Sequence, residues 1–210
     1  MKRTAVVILN YNGIHFLEKY LHLVVDHTPD AEIIVADNAS TDGSVEWLAS
    51  HHKEIRTIIL DKNYGFAEGY NKALRQVDNE YYVLLNSDVR TSPNWLSPII
   101  TYMDNNPNCA AAQPKILSEE NPEKFEYAGA AGGFIDKYGY PFCRGRIMGN
   151  VEEDNGQYDT ISEVFWATGA CLVIRRDEYW NNGALDGRFF AHQEEIDLCW
   201  RLKARGKSIV

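Results

Sequence analysis

The segment Tyr81-Tyr82-Val83-Leu84-Leu85-Asn86-Ser87-Asp88-Val89 decides the predicted fold. Five consecutive bulky apolar residues, followed by small polar residues and a carboxylate, are typical of a strand that is buried on both faces of an α/β sheet. Asp88 then lies just past the carboxyl end of this strand. Ligands of open α/β sheets bind at that edge, where a carboxylate can hold Mg2+ or Mn2+ against substrate phosphates. Asn, Ser and Asp also favour turns, so the segment alone does not separate a ligand site from a helix-capping turn.

Three strand and helix units precede this strand. The predicted strands cover residues 5–9, 32–36 and 57–60, and each is followed by apolar residues at helical spacing. Such a series predicts an α/β fold with a mostly parallel, doubly wound sheet, right-handed crossovers and helices on both faces. The loops at its carboxyl edge are then residues 10–13, 37–44, 63–66 and 86–88.

The second half of the chain is less regular. Ser92 and Pro93 predict the N-cap and first residue of a helix, and residues 110–112 predict a short strand. The glycine-rich residues 118–160 predict loops and short strands over one end of the sheet, either a substrate lid or an insertion. Residues 164–174 predict a core strand interrupted at Thr168-Gly169, and residues 192–202 predict a helix. Residues 207–210 resemble a strand that is just beginning, so we expect the sequence to be truncated within its domain.

Composition excludes several classes of protein. A net charge of −9 over 210 residues argues against a nucleic-acid binder. The four cysteines are far apart, which suggests neither a zinc site nor a disulfide scaffold. The apolar run after Lys2-Arg3 stops at Asn10, too early for a signal peptide, and no stretch has the length of a transmembrane segment. We therefore expect a cytoplasmic protein.

Familiar nucleotide motifs are missing from the sequence. Neither G-x-G-x-x-G nor G-x-x-x-x-G-K-[ST] occurs, which argues against an NAD enzyme and a P-loop ATPase. What remains is a sheet edge with Asp37 and Asp88, and an acidic cluster at Glu194, Glu195 and Asp197. One carboxylate to contact a nucleotide, one to bind a metal and one to act as base would suit group transfer from a nucleotide diphosphate. The cluster would equally suit the positive end of a helix dipole.

Several motifs in order resemble family 2 glycosyltransferases, especially the rhamnosyltransferase-like branch, over nearly the whole chain except residues 118–160. They are Val7-Ile8-Leu9-Asn10-Tyr11-Asn12-Gly13, Asp37-Asn38-Ala39-Ser40-Thr41-Asp42-Gly43-Ser44, Asn63-x-Gly65-Phe66-Ala67-x-Gly69-x-Asn71, Leu84-Leu85-Asn86-Ser87-Asp88, Gly169-Ala170 with Arg175-Arg176, and Phe189-Phe190-x-x-x-Glu194-Glu195-x-Asp197-Leu198-x-x-Arg201. The resemblance implies a GT-A fold and inverting transfer of a sugar from a nucleotide-diphosphate donor to an acceptor hydroxyl.

The resemblance also implies roles for individual residues. Asp37 would contact the nucleotide base, and Asp88 would bind Mg2+ or Mn2+ in a DxD-type motif whose first acid is replaced by Asn86. Glu195 would be the catalytic base, in place of the family's Asp, with Glu194 as second choice. The remaining expected nucleotide contacts are Asn10, Tyr11, Asn12, Asn63, Gly65, Phe66, Asn86 and Ser87.

The expected organisation is one glycosyltransferase domain over residues 1–210, with a nucleotide-binding half (1–117) and an incomplete acceptor-side half (118–210). The expected donor is a dTDP- or UDP-sugar. The expected acceptor is a glycan or a lipid-linked glycan in surface glycan or polysaccharide synthesis, with peripheral contact at the inner face of the membrane. A non-catalytic sugar-nucleotide or glycan binding module stays open. A nucleotidyltransferase is disfavoured, because the loop after the first strand has no cation. Family members usually continue beyond this end with a strand and a His, so the activity of this chain is a separate question.

Overall fold

A computed structural model describes residues 2–210 and contains eleven strands and six helices among them. The first half comprises β1 (Thr4–Asn10), α1 (Ile14–His27), β2 (Ala31–Asp37), α2 (Ser44–His51), β3 (Arg56–Ile59), α3 (Gly65–Leu74), β4 (Tyr81–Asn86), α4 (Ser97–Asn105) and β5 (Cys109–Ala112). The second half comprises β6 (Gly133–Ile135), β7 (Pro141–Cys143), β8 (Arg146–Ile147), β9 (Asn150–Val151), β10 (Cys171–Arg175), α5 (Arg176–Asn181), α6 (Glu194–Ala204) and β11 (Ser208–Ile209).

The large sheet has seven strands in the order β11-β5-β10-β4-β1-β2-β3. All neighbours are parallel except β10, which runs antiparallel to both β4 and β5. The predicted mostly parallel, doubly wound sheet is therefore confirmed.

Helices cover both faces of this sheet, because β4 alternates between two cores. Tyr82 and Leu84 pack in the cluster that contains residues of α3, α5 and α6. Tyr81, Val83 and Leu85 pack in the cluster that contains residues of α1, α2 and α4. All five side chains are fully buried, which is why the sequence of β4 is apolar without alternation. Both tyrosine hydroxyls have hydrogen-bond acceptors: Tyr82 donates to Val77 O, and Tyr81 donates to the Asp104 carboxylate.

Two predicted boundaries were wrong. Helix α4 begins at Ser97 rather than Ser92, and Pro98 takes the early helical position expected of Pro93. Asn94 has a φ of 58°, which is incompatible with a continuing right-handed helix, so residues 93–96 turn the chain first. The predicted strand over residues 164–174 is confined to β10. Before it, the amide of Thr168 bonds to the Gln113 side chain instead of a neighbouring strand. Helix α5 was not predicted.

Residues 118–160 contain a second, four-stranded antiparallel sheet in the order β6-β7-β8-β9. Trp166 anchors it to the core, because its indole lies flat against Gly133. A Cβ atom at Gly133 would come within 1.8 Å of the ring. The indole N–H also donates to Phe134 O at 3.0 Å. The segment therefore contains short strands, as predicted, and its small sheet packs against the core through Trp166.

No helix formed by residues 2–210 has the length and apolar character needed to cross a membrane.

Candidate active site

The carboxyl ends of β1, β2 and β4 meet at one edge of the sheet. In the register of these strands, Asn10 lies opposite Asp37, and Leu9 lies opposite Asn86. The polar residues that follow each strand are therefore neighbours, as expected of parallel strands. This edge collects most of the predicted site residues.

Asp37 is completely buried and is held by two hydrogen bonds. The Asn10 amide donates to one carboxylate oxygen at 3.0 Å, and the backbone N–H of Ser40 donates to the other at 2.8 Å. Asn10 is also completely buried, and its Oδ1 atom has no hydrogen-bond partner. An unpaired buried acceptor is costly in an otherwise satisfied protein. Asn10 and Asp37 thus form a fixed polar pair with spare acceptor capacity.

The first two loops lock together through Asn12. Its Oδ1 accepts the N–H of Thr41 at 2.7 Å, and its own N–H donates to Ser40 Oγ at 2.9 Å. The adjacent Tyr11 is half exposed. The loop therefore presents one aromatic ring on a rigid base, a surface on which a planar nucleobase can stack.

Asn38 is a positioning residue that the sequence analysis quoted without assigning it a role. Its amide nitrogen donates to Asn63 Oδ1 and to Gly65 O, both at 3.0 Å, and its Oδ1 accepts the N–H of Tyr64 at 3.0 Å. Asn63 Oδ1 also accepts the N–H of Gly65. The side chain of Asn63 is thus engaged in holding its own loop.

Asp88 is exposed in the turn after β4, and Asn86 and Ser87 before it are half buried. Among residues 2–210, no group of three or more His, Cys, Asp or Glu is arranged to hold a metal ion. Mg2+ in transferases is bound by one or two carboxylates together with substrate phosphates and water. One exposed carboxylate fits such a shared site and does not fit an all-protein one.

Glu194 and Glu195 begin α6 after two residues in the left-handed conformation, His192 and Gln193. Burial raises the pKa of Glu194 to about 7, and its Oε2 atom has no partner. Burial also raises the pKa of Glu195, whose Oε2 is unpartnered and whose Oε1 lies 3.5 Å from the N–H of Gly169. Asp197 instead pairs with Arg201 at 2.6 Å.

Glu195 and not Glu194 lines a cavity of about 840 Å³ between α6 and the small sheet. Its wall is mostly aromatic and apolar, which the sequence analysis did not assign to particular residues. Clustered aromatics among residues 127–166 were the available signal. The large apolar side chains of the wall are those of Tyr127, Tyr140, Phe142, Ile147, Met148, Trp166 and Ile196.

Gly169-Ala170 connects this cavity to the carboxyl edge of the large sheet. The carbonyl of Ala170 accepts the N–H of Asn86 at 3.0 Å, while Gly169 faces Glu195. The ring of Phe66 also packs at Gly169, where a Cβ atom would lie 3.3 Å from Phe66 Cζ. The loop after β4, the loop before α3 and the start of α6 therefore converge on two small residues.

A second link joins the loop before α3 to α6. The N–H of Phe66 donates to Phe190 O at 2.7 Å. Gly65 has a φ of 72°, and a Cβ atom there would lie 2.5 Å from the same carbonyl oxygen. Residues 186–193 thus cross the edge of the sheet and lead directly into Glu194 and Glu195.

A mostly parallel sheet with one antiparallel strand, polar loops at its carboxyl edge and a neighbouring apolar cavity that contains the Glu195 carboxylate are the features expected of a GT-A type α/β protein. The profile of the family "Glycosyl transferase family 2" matches residues 5–180, so the chain belongs to that family. The predicted family and fold class are confirmed.

Known relatives agree with this membership. The chain is 24% identical over 220 residues to an N-acetylglucosaminyl-diphospho-decaprenol L-rhamnosyltransferase of Mycobacterium tuberculosis, covering 96% of this chain and 70% of that protein. It is 22% identical over 208 residues to the rhamnosyltransferase WbbL of Escherichia coli, with 96% and 77% covered. The mannosyltransferase PcManGT from Pyrobaculum calidifontis, solved with GDP-Man and Mn2+, has a similar fold, with a TM-score of 0.68 at 16% identity. That match covers 99% of this chain and 54% of the mannosyltransferase chain.

Proposed function

We propose that the chain catalyses inverting transfer of a sugar from a nucleotide-diphosphate donor, a dTDP- or UDP-sugar, to an acceptor hydroxyl. The observation that carries the proposal is the convergence at Gly169-Ala170. Ala170 bonds to Asn86 at the end of β4, two residues before Asp88, and Gly169 faces the carboxylate of Glu195. A donor at the sheet edge and an acceptor in the cavity would therefore meet beside a potential base.

Glu195 has the properties that a general base requires. One carboxylate oxygen is free of protein partners, and burial raises the pKa, which makes the carboxylate a stronger base. It would accept the proton of the acceptor hydroxyl as that oxygen attacks the anomeric carbon. The bond to the diphosphate oxygen breaks in the same displacement, so the anomeric configuration is inverted.

Residues 1–117 would bind the donor, and residues 118–210 would bind the acceptor. We propose that Asp37 and Asn10 contact the nucleobase of the donor and that Tyr11 stacks on it. The other proposed nucleotide contacts are Asn12, Asn63, Gly65, Phe66, Asn86 and Ser87. The buried, unpaired Oδ1 of Asn10 supports this assignment, because a ligand N–H could satisfy it.

Asp88 would share Mg2+ or Mn2+ with the diphosphate of the donor. Such an ion supplies positive charge that stabilises the departing diphosphate. The Mn2+ in the structure of the mannosyltransferase relative supports use of a divalent ion in this fold.

The names of the relatives support a glycan or lipid-linked glycan as acceptor, in synthesis of a surface glycan or polysaccharide. We place the protein in the cytoplasm, in peripheral contact with the inner face of the membrane. The four cysteines of residues 2–210 are all free thiols, which supports a reducing compartment.

Glu195→Gln tests the proposal, because glutamine keeps the size of the side chain and cannot accept the proton. We expect nucleotide-diphosphate affinity within about twofold of wild type and a loss of transfer of roughly 10²–10⁴-fold, the usual contribution of a general base. Glu120→Gln, which changes an exposed glutamate away from the cavity, is the matched control. Transfer at the wild-type rate by Glu195→Gln would refute the base assignment. Nucleotide binding without transfer by the wild type would favour a binding module.

A further inference from the structure

Large apolar side chains are exposed unevenly over the surface. Thirteen of them are exposed among residues 2–210, and six lie between residues 127 and 148, a tenth of the chain. Single exposed apolar residues need no explanation, but a contiguous group usually marks a contact surface. We call this group the apolar rim: Tyr127, Tyr138, Tyr140, Phe142, Ile147 and Met148.

The apolar rim is continuous with the cavity of Glu195. Five of its six members also line that cavity, and only Tyr138 lies beyond it. The two most exposed members are Met148 at 84% and Tyr138 at 74%. An acceptor that reaches Glu195 therefore passes an apolar border.

The charge around the apolar rim is opposite to the charge of the chain. Residues 127–151 contain Lys137, Arg144 and Arg146 but only one acid, Asp136, giving a net charge of +2, whereas the whole chain has −9. Arg144 lines a different pocket, so Lys137 and Arg146 are the cations beside the apolar rim. Asp136 is exposed, and one of its carboxylate oxygens, Oδ1, accepts the N–H groups of Tyr138 and Tyr140 in the turn. Glu126, just before this segment, likewise accepts two backbone N–H groups.

Arg146 holds the apolar rim in place. Its guanidinium lies 3.6 Å from the ring centre of Tyr127, and it donates to the carbonyls of Tyr127 and Met148, each at 2.7 Å. Lys137 lies 4.9 Å from the ring centre of Tyr138. Tyrosines beside cations are typical of side chains at a lipid–water interface.

We propose that the apolar rim docks on the surface of an anionic lipid bilayer and presents membrane-borne acceptors to the cavity of Glu195. The docking assigns a surface to the peripheral membrane contact of the proposed function, and its link to acceptors rests on the proposed transfer. The cations contact lipid phosphates, and the aromatic and aliphatic side chains enter the interface. A chain of net charge −9 binds such a surface only through a local basic and apolar face.

Vesicle sedimentation tests the docking. Vesicles of phosphatidylcholine alone are compared with vesicles containing about one third phosphatidylglycerol, at low and physiological salt. We expect salt-sensitive binding to the anionic vesicles only. Lys137→Gln should weaken binding about fivefold, the effect of one interfacial cation. Tyr138→Ser combined with Met148→Ser should weaken it about tenfold or more.

The matched control is Ile59→Ser combined with Trp200→Ser, which removes exposed apolar surface elsewhere, at 62% and 53% exposure. Equal binding by the rim and control variants, or no binding by the wild type, would overturn the proposal. So would binding of short soluble oligosaccharides at the rim without vesicle binding. UDP and dTDP titrations on the same samples separate the two proposals. Nucleotide binding without vesicle binding refutes the docking and the peripheral membrane contact but not the sugar transfer. Vesicle binding without nucleotide binding refutes the sugar transfer but not the docking.

Discussion

Glu194 should make the folded protein lose stability as the pH rises. Its side chain is 3% exposed, one carboxylate oxygen has no partner, and burial raises its pKa to about 7 from an ordinary value of 4.5. A carboxyl with a raised pKa binds its proton more tightly in the folded than in the unfolded protein. The contribution of Glu194 to stability is therefore greatest below about pH 4.5 and is lost as the pH rises through about 7.

The magnitude follows from the difference between the two pKa values. Each pKa unit corresponds to about 1.4 kcal/mol, so deprotonation of Glu194 costs up to about 3 kcal/mol of unfolding free energy. Glu194→Gln removes this dependence, although an unpaired amide adds an offset that is independent of pH. We therefore compare the unfolding free energies of Glu194→Gln and wild type at each pH, and the test is how this difference changes with pH.

Urea unfolding followed by tryptophan fluorescence at pH 4.5, 6, 7 and 8 measures it. From pH 4.5 to pH 8, Glu194→Gln should gain up to about 3 kcal/mol relative to wild type. The control Glu120→Gln, at an exposed position, should keep the wild-type profile within about 0.5 kcal/mol. Parallel pH profiles for Glu194→Gln and wild type would refute the assignment of a destabilising buried carboxylate.

Two further predictions concern the loop before α3 and the helix itself. Gly65→Ala should destabilise the protein by more than Gly139→Ala in thermal unfolding, because both have positive φ, which costs about 1 kcal/mol, but only Gly65 also lies against Phe190. Equal losses would contradict the contact with Phe190. Asn71→Ala should cost about 2–4 kcal/mol, because the buried amide bonds to the chain entering residues 186–193, whereas the exposed Asn108→Ala should cost less than about 1 kcal/mol. Similar losses for the two asparagines in urea unfolding would show that the bond is not important.

The sequence was most informative where one physical requirement acted alone. Five consecutive apolar residues in β4 predicted a strand that is buried on both faces. The alternation of strands and helices before β4 predicted the parallel sheet. The helix start at Ser92 failed because Ser97-Pro98 carries the same capping signal. The left-handed conformation of Asn94 excludes a helix that begins at Ser92, so the helix begins at Ser97. No local sequence pattern predicts a single residue in this conformation.

The site was harder to predict from the sequence than the fold. Short motifs predicted where the loops lie. They did not predict which side chains would form hydrogen bonds within the loops and which would be free to bind a ligand. Asn38 and Asn63 bond mainly within the loops, and Glu194 and Glu195 differ in which of them faces the cavity. The aromatic wall depends on long-range packing of Trp166 against Gly133, which spacing along the chain does not reveal.

Calorimetric titration of the chain with UDP and dTDP, each with and without Mn2+ or Mg2+, tests the proposed donor site at the end of β4. We expect binding that is strengthened by the ion in the wild type and independent of the ion in Asp88→Asn. Asp30→Asn, at an exposed carboxylate just before β2 and away from the carboxyl edge of the sheet, is the control and should behave as wild type. Absence of binding by a demonstrably folded chain, or ion-dependent binding that survives in Asp88→Asn, would contradict the donor site at the end of β4.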